Sequence, residues 1–276
     1  MSVHEPPVRW VRAWPDEMAP RFRVGRAGPD LIAEWPGFAS LRSNRAGSEF
    51  ECRFIDDAMN PLAVEKFRQG QVAALLRHLQ GELTFHASSA ALDGGAVVLL
   101  GASGSGKSST AAALCRKRSA EFLADDVTPL VVRRSAFCVA PLETHHWLPA
   151  DTAAFLECGA APAVASKRRV RPPAAATGPS ELAAIVDLAF DDALDAPRLS
   201  PVSGRAVFEL LSSSAIRFVV DEPDVLLRDF KQLADLAAAV PVFRLYRPRS
   251  VKYLEECVTI VADLVASGRR KVRPKS

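Results

Sequence analysis

The stretch GASGSGKSST, Gly101 to Thr110, followed by EFLADD, Glu121 to Asp126, decides how this chain is read. The first string matches G-x-x-x-x-G-K-[ST], in which glycines let the backbone turn its N–H groups inward around an anion and the next helix adds partial positive charge. Gly101, Ala102, Ser103, Gly104, Ser105, Gly106, Lys107, Ser108 and Ser109 are therefore the predicted phosphate-binding residues. Lys107 is expected to reach the β- and γ-phosphates of a nucleotide. Ser108 would offer its hydroxyl to Mg²⁺, a cation that prefers oxygen ligands. The alternative is a Gly/Ser-rich surface turn that opens an amphipathic helix.

Such a string carries weight only where a strand enters it and a helix leaves it. TFHASSAAL and AVVLLG flank Asp93-Gly94-Gly95, a turn sequence that supplies the positive φ of a tight hairpin, so the loop is fed by a hairpin strand. Working outward, RFRV, LIAEW and FECRFI between Phe22 and Ile55 alternate like short strands and predict a small β-rich lobe. Pro61 to Leu79 has helical spacing, with Gly81 as its stop. Toward the C-terminus, Phe230 to Ala239 reads as a helix, Val242 to Tyr246 as a strand and Val251 to Ala266 as a closing helix. The fold class expected is α/β: a P-loop core with a mixed sheet and flanking helices over 81–266, an N-terminal β-rich lobe with a connecting helix over 1–80, and a basic tail over 267–276.

Composition excludes little but points one way. Net charge is +3 and 24% of the 276 residues are charged, too balanced to require nucleic acid or a membrane as partner. Prolines and acids interrupt the start where a secretory signal needs an apolar core, and the apolar runs are strand-sized rather than the ~20 residues of a membrane span. Cys52, Cys115, Cys138, Cys158 and Cys257 are scattered without metal-ligand spacing, as free thiols in a reducing cytoplasm would be.

Three acidic sites compete for the role beside the loop. Asp125-Asp126 ends a short apolar strand 18 residues after Lys107, where a strand–loop–helix–strand unit would return its carboxyl end beside that of the first strand. Asp187 ends LAAIVD and reads as an ordinary sheet strand. Asp221-Glu222 imitates the acid pair of transporter ATPases but follows LLSSSAIR, without their signature sequence. Two adjacent acids divide the work of phosphoryl transfer, one on the metal side and one accepting a proton from the attacking hydroxyl; the alternative for Asp125 and Asp126 is a turn or helix cap.

His86, the loop and the acid pair, in this order, resemble the core of the HPr kinase/phosphorylase superfamily. HASSAALDGGAVVLLGASGSGKSSTAAAL and FLADDVTPL, with KRRV, LAAIVDL and VPVFRLYRPR, are most similar to HPr-kinase-like serine kinases encoded with peptide-modifying systems, lasso-peptide kinases among them. The resemblance implies ATP- and Mg²⁺-dependent phosphorylation of a serine hydroxyl on a peptide or protein, with Asp125 as proton acceptor, Asp126 on the metal side and His86 near the γ-phosphate or the acids. Where the family carries a glycine-containing signature, this chain reads APLETHHWLPAD, so neither HPr as substrate nor phosphorylase activity carries over; Glu143 lies in this segment. Lys167, Arg168 and Arg169 lie in an Ala/Pro/Gly-rich segment that reads as a basic loop, either solvated or clamping phosphate or an acidic peptide. His145-His146 has no third ligand and reads as packing or substrate surface. A regulatory or chaperone-like ATP-binding module and a small-metabolite kinase remain as alternatives, and a homo-oligomeric state is left open.

Overall fold

The computed structural model describes residues 6–14, 21–56, 58–93, 95–159, 161–164, 166–219 and 221–272. The chain divides into two compact units, one built from the chain up to Glu82 together with Arg217–Asp229, the other from Leu83–Ile216 and from Phe230 onward. No helix among the described residues is long and apolar enough to cross a membrane.

The first unit is an antiparallel sheet in chain order: β1 (Arg9–Trp14), β2 (Phe22–Ala27), β3 (Asp30–Trp35), β4 (Ala39–Ser43) and β5 (Phe50–Phe54). Strict alternation on β3 buries Leu31, Ala33 and Trp35 and turns the intervening residues outward. Against this face lies α1 (Pro61–Phe67), opened by Asn60, whose Oδ1 accepts from the Leu62 N–H at 2.9 Å. Phe67 meets Trp35, Phe38 and Phe54 edge-on, the geometry that aromatic quadrupoles favour. The helical run continues through a π-type segment at Arg68–Val72 into α2 (Ala73–Leu79), and the chain leaves it at Gly81 with φ +87°. Strands β1 and β4 were not among the expected elements. The acids Asp221 and Glu222 belong to this unit, where Glu222 pairs with Arg26 and Arg45 and Asp221 with Arg9, so their surroundings are arginines of a structural sheet.

In the second unit the elements run β6 (Leu83–Phe85), β7 (Ser88–Leu92), β8 (Gly95–Leu100), α3 (Lys107–Lys117), β9 (Glu121–Ala124), β10 (Thr128–Arg133), β11 (Ala136–Val139), β12 (His146–Pro149), α4 (Ala150–Phe155), β13 (Ala163–Val164), β14 (Lys167–Val170), β15 (Ser180–Phe190), β16 (Arg198–Val202), α5 (Arg205–Ser214), α6 (Pro223–Ala239), β17 (Val242–Arg247) and α7 (Leu254–Val272). α6 is counted here because its residues from Phe230 belong to this unit. A mixed, curled sheet has the order β6-β10-β11-β15-β8-β7-β9, with β17 beside β15 and β16 beside β17; β12, β14 and β13 form a smaller sheet. One apolar cluster joins the inner side of α3, Ala111 to Cys115, to Val258, Val261 and Val265 of α7, and a second joins β8 and β15 to Leu233 and Leu236 of α6. Full burial of each such aliphatic side chain contributes about 1.5–3 kcal/mol, so helices on both faces hold the sheet edge that carries the loop.

Three expectations need correction. TFHASSAAL is not one hairpin arm: Thr84 and Phe85 sit in β6, paired with β10, and β7 starts only at Ser88. The β7–β8 hairpin itself is present, while Gly94 of its turn lies outside the described residues. β9 does not lie beside β8, because β7 runs between them, antiparallel to both. The KRRV run is a strand, paired with β12 from His146 to Pro149.

Candidate active site

The loop between β8 and α3 is shaped by three glycines with positive φ, Gly101 at +136°, Gly104 at +81° and Gly106 at +91°. Two of them are also held by space. A Cβ on Gly101 would lie 2.6 Å from the Leu188 carbonyl oxygen, and one on Gly106 would lie 2.2 Å from Nη2 of Arg247. α3 starts at Lys107 with no side chain capping its first turn, so the N–H groups there are left to solvent or an anion. Ser105 Oγ is buried without a protein partner. Lys107 folds back over the loop, its Nζ donating to the carbonyl oxygens of Gly101 at 2.8 Å and Ala102 at 3.2 Å. Desolvation lowers the Lys107 pKa, opposed by the charges of Asp126 and Asp125.

A pocket of about 440 Å³ opens on this loop, lined by Ser103, Gly104, Gly106, Lys107, Ser108 and Ser109 and by His86, Asp126, Asp151 and Lys167, with Phe190, Arg247 and Arg249 also in its wall. The two adjacent acids are separated by it. Asp125 is 0% exposed, and its carboxylate accepts from Ser88 Oγ at 2.5 Å and from the Trp147 N–H at 3.0 Å. Its own N–H donates to the buried carboxylate of Glu143. Asp126 adopts φ +72°, which swings its side chain the other way, into the pocket, with Lys167 Nζ 3.9 Å from Oδ1. Of the two acids, Asp126, expected on the metal side, lines the pocket, while Asp125, expected as the proton acceptor, is buried behind it.

His86 donates from Nδ1 to the Asp126 carbonyl oxygen at 3.0 Å, which assigns the ring proton to that nitrogen and leaves Nε2 as the other, free to accept when the ring is neutral. The ring is open to the pocket, yet protein packs densely enough around it that desolvation lowers its pKa, with the Lys107 charge acting in the same direction and Asp126 against it. Of the basic run, Lys167 lines the pocket. Arg168 and Arg169 do not: Arg168 points to the opposite face of β14, and Arg169, which shares the face of Lys167, stands one strand step further along it.

Ser88, Glu143, Asp151, Phe190 and Arg247 lie at or behind the site without having been singled out as site residues. Ser88, Glu143, Asp151 and Arg247 stood inside quoted stretches, but nothing in their spacing marks them as site residues. Asp187 lies opposite Leu100 in the β15–β8 register, next to the loop, and is held by Arg244 Nε at 2.6 Å. His146 is buried edge-on to Phe122, and burial pushes its pKa down to about 3. The described residues contain no group of three His, Cys, Asp or Glu side chains able to hold a metal. The oxygen donors that face the loop, Ser108 and Asp126, are of the hard kind that Mg²⁺ takes together with water and phosphate oxygens rather than in an all-protein cage.

Together these features define a mixed α/β domain with a glycine-shaped loop at its pocket. Neither protein-family models nor curated proteins give a match to this chain. Among solved structures it is similar to the HPr(Ser) kinase/phosphatase from Coxiella burnetii, at 13% identity over 68% of this chain and 97% of that one, with a TM-score of 0.36.

Proposed function

We propose that the chain is an ATP- and Mg²⁺-dependent phosphotransferase that phosphorylates a serine hydroxyl of a peptide or protein. The observation that carries this reading is the presence in one pocket of an uncapped helix N-terminus behind three positive-φ glycines, a lysine over that loop, and a carboxylate and a histidine facing it. A module that only binds nucleotide has no need of the last two.

The N–H groups of the loop and of the first turn of α3 bind the phosphate chain, and Lys107 exchanges its carbonyl partners for phosphate oxygens. Ser108, with phosphate oxygens, would hold Mg²⁺, which when bound would neutralise charge at the transferring group. Asp126 accepts the proton of the acceptor hydroxyl. His86 orients Asp126 by its hydrogen bond to that residue's carbonyl, and Lys167, 3.9 Å from Asp126 Oδ1, places a positive charge where the incoming phosphate lies. Asp125 acts through position: it ties the end of β9 to β7 and β12 and so fixes where Asp126 turns.

The test is transfer of labelled γ-phosphate to serine-containing peptides, with nucleotide affinity measured in parallel. Asp126→Asn should cut turnover by roughly 10²–10⁴-fold with affinity little changed, since a general base contributes that much. Full turnover in this variant would remove Asp126 from the chemistry, and wild-type binding of nucleotide without any transfer would leave the regulatory-module reading.

A further inference from the structure

The carboxyl edge of the sheet has an order that bears on the part of the nucleotide the loop does not hold. β17, β15 and β8 are parallel neighbours, and β9 is parallel to β8 with β7 between them. Read along this edge, the sequence of ends is Arg247, Phe190, the phosphate loop, the start of β7 beside His86, and then Asp125-Asp126. With strands about 4.8 Å apart, the loop strand has the acids two strands away on one side and β17 two strands away on the other, roughly 10 Å each way. A phosphate chain whose reacting end faces Asp126 must direct its nucleoside toward Phe190 and β17.

That side is built differently from the acidic side. Phe190 carries the guanidinium of Arg249 over its ring, 4.2 Å from the centroid, and Arg247 at 4.8 Å. Val251 and Leu254 continue the same wall with aliphatic surface. The turn is held in place before any ligand arrives: the Asp191 N–H donates to the Arg247 carbonyl at 3.0 Å and the Arg249 N–H to Asp192 Oδ1 at 2.8 Å. Arg247, itself buried, donates from Nη2 to the Ser105 carbonyl at 2.7 Å, which ties this wall to the phosphate loop. An aromatic ring and a planar cation are the two surfaces on which nucleobases stack.

We propose that the purine base of the nucleotide stacks on the platform formed by Phe190 and Arg249, against Val251 and Leu254, a placement that rests on the nucleotide reading of the phosphate loop. Recognition there is by ring face. Phe190, Val251 and Leu254 carry no polar side-chain atom, and the Ser250 hydroxyl, which accepts from the Lys252 N–H at 3.4 Å, can turn to donate or accept and so does not discriminate one base edge from another; adenine and guanine nucleotides bind within several-fold of each other.

The experiment compares binding of ATP, GTP and inorganic tripolyphosphate, each with Mg²⁺, to the full chain and to Phe190→Leu, Phe190→Tyr and Arg249→Gln. Phe190→Leu keeps apolar volume and so guards against simple unfolding, and Phe190→Tyr keeps the ring. Phe190→Leu should weaken ATP and GTP by roughly 10- to 100-fold, the range expected when a stacked base loses its aromatic partner, while tripolyphosphate affinity stays within twofold of wild type. Phe190→Tyr should bind like wild type and Arg249→Gln should weaken both nucleotides. The platform is overturned if wild type binds ATP no better than tripolyphosphate, if Phe190→Leu binds ATP normally or loses tripolyphosphate equally, or if GTP is rejected by 100-fold or more. Binding of neither nucleotide nor tripolyphosphate would overturn the phosphate-loop reading itself, and the platform with it.

Discussion

Replacing Asp125 separates position from chemistry in the acid pair. Its carboxylate is fully buried and satisfies two donors, the Ser88 hydroxyl at 2.5 Å and the Trp147 N–H at 3.0 Å. In Asp125→Ala both donors lose their acceptor, and a buried unsatisfied donor costs about 1–3 kcal/mol, so roughly 2–6 kcal/mol is expected in all. Asp125→Asn costs less, about 1–3 kcal/mol, because the amide oxygen still accepts from Trp147 and the Ser88 hydroxyl can turn to accept from the amide nitrogen; what is lost is the assistance of the charge. At about 2–4 °C per kcal/mol for a unit of this size, Tm should fall by roughly 8–16 °C for a mid-range Ala variant and about 2–12 °C for Asn. Asp126→Asn, at a half-open position, should leave Tm within about 2 °C. The assay is thermal unfolding by circular dichroism beside phosphate transfer at a temperature where all variants are folded. If Asp125→Asn unfolds like wild type and yet loses 10²-fold or more in turnover, Asp125 reaches the acceptor hydroxyl and the positional role assigned to it is wrong.

Gly106→Ala should abolish nucleotide binding while the chain still folds, since its Cβ would fall 2.2 Å from Arg247 Nη2 at a φ of +91°; titration with Mg-ATP checks this. Lys167→Glu should lower turnover at least tenfold and Arg168→Glu should change it less than twofold, because Lys167 faces Asp126 in the pocket and Arg168 does not line it; steady-state kinetics of the pair decide. His146 has a folded pKa near 3 against 6.5 for the free side chain, so the unfolded chain binds the extra proton and stability is lost as pH falls from about 6.5 toward 3. His146→Phe should therefore reduce the acid-side slope of stability by up to about 1.4 kcal/mol per pH unit, read from denaturant titrations between pH 7 and 4.5.

Local pattern made a good part of this protein legible. The glycines and the Lys-Ser of the loop sit between a strand and a helix because period-2 and period-3.6 apolar spacing are properties of a few neighbouring residues, and the same holds for β2, β3 and β5, α1 and α2, β9, β17 and α7. Other features depend on partners far along the chain. The KRRV run is a strand because β12, some twenty residues earlier, pairs with it, and its Ala- and Pro-rich flanks hide that; β1 needed its pairing with β2 to be recognised. β7 comes between β8 and β9 by strand order, which no spacing encodes. Two adjacent aspartates look alike in sequence, and what distinguishes them is tertiary. Ser88, 37 residues away, and Trp147, 22 away, seal Asp125 inside, while a left-handed backbone at Asp126 turns its carboxylate outward to the pocket.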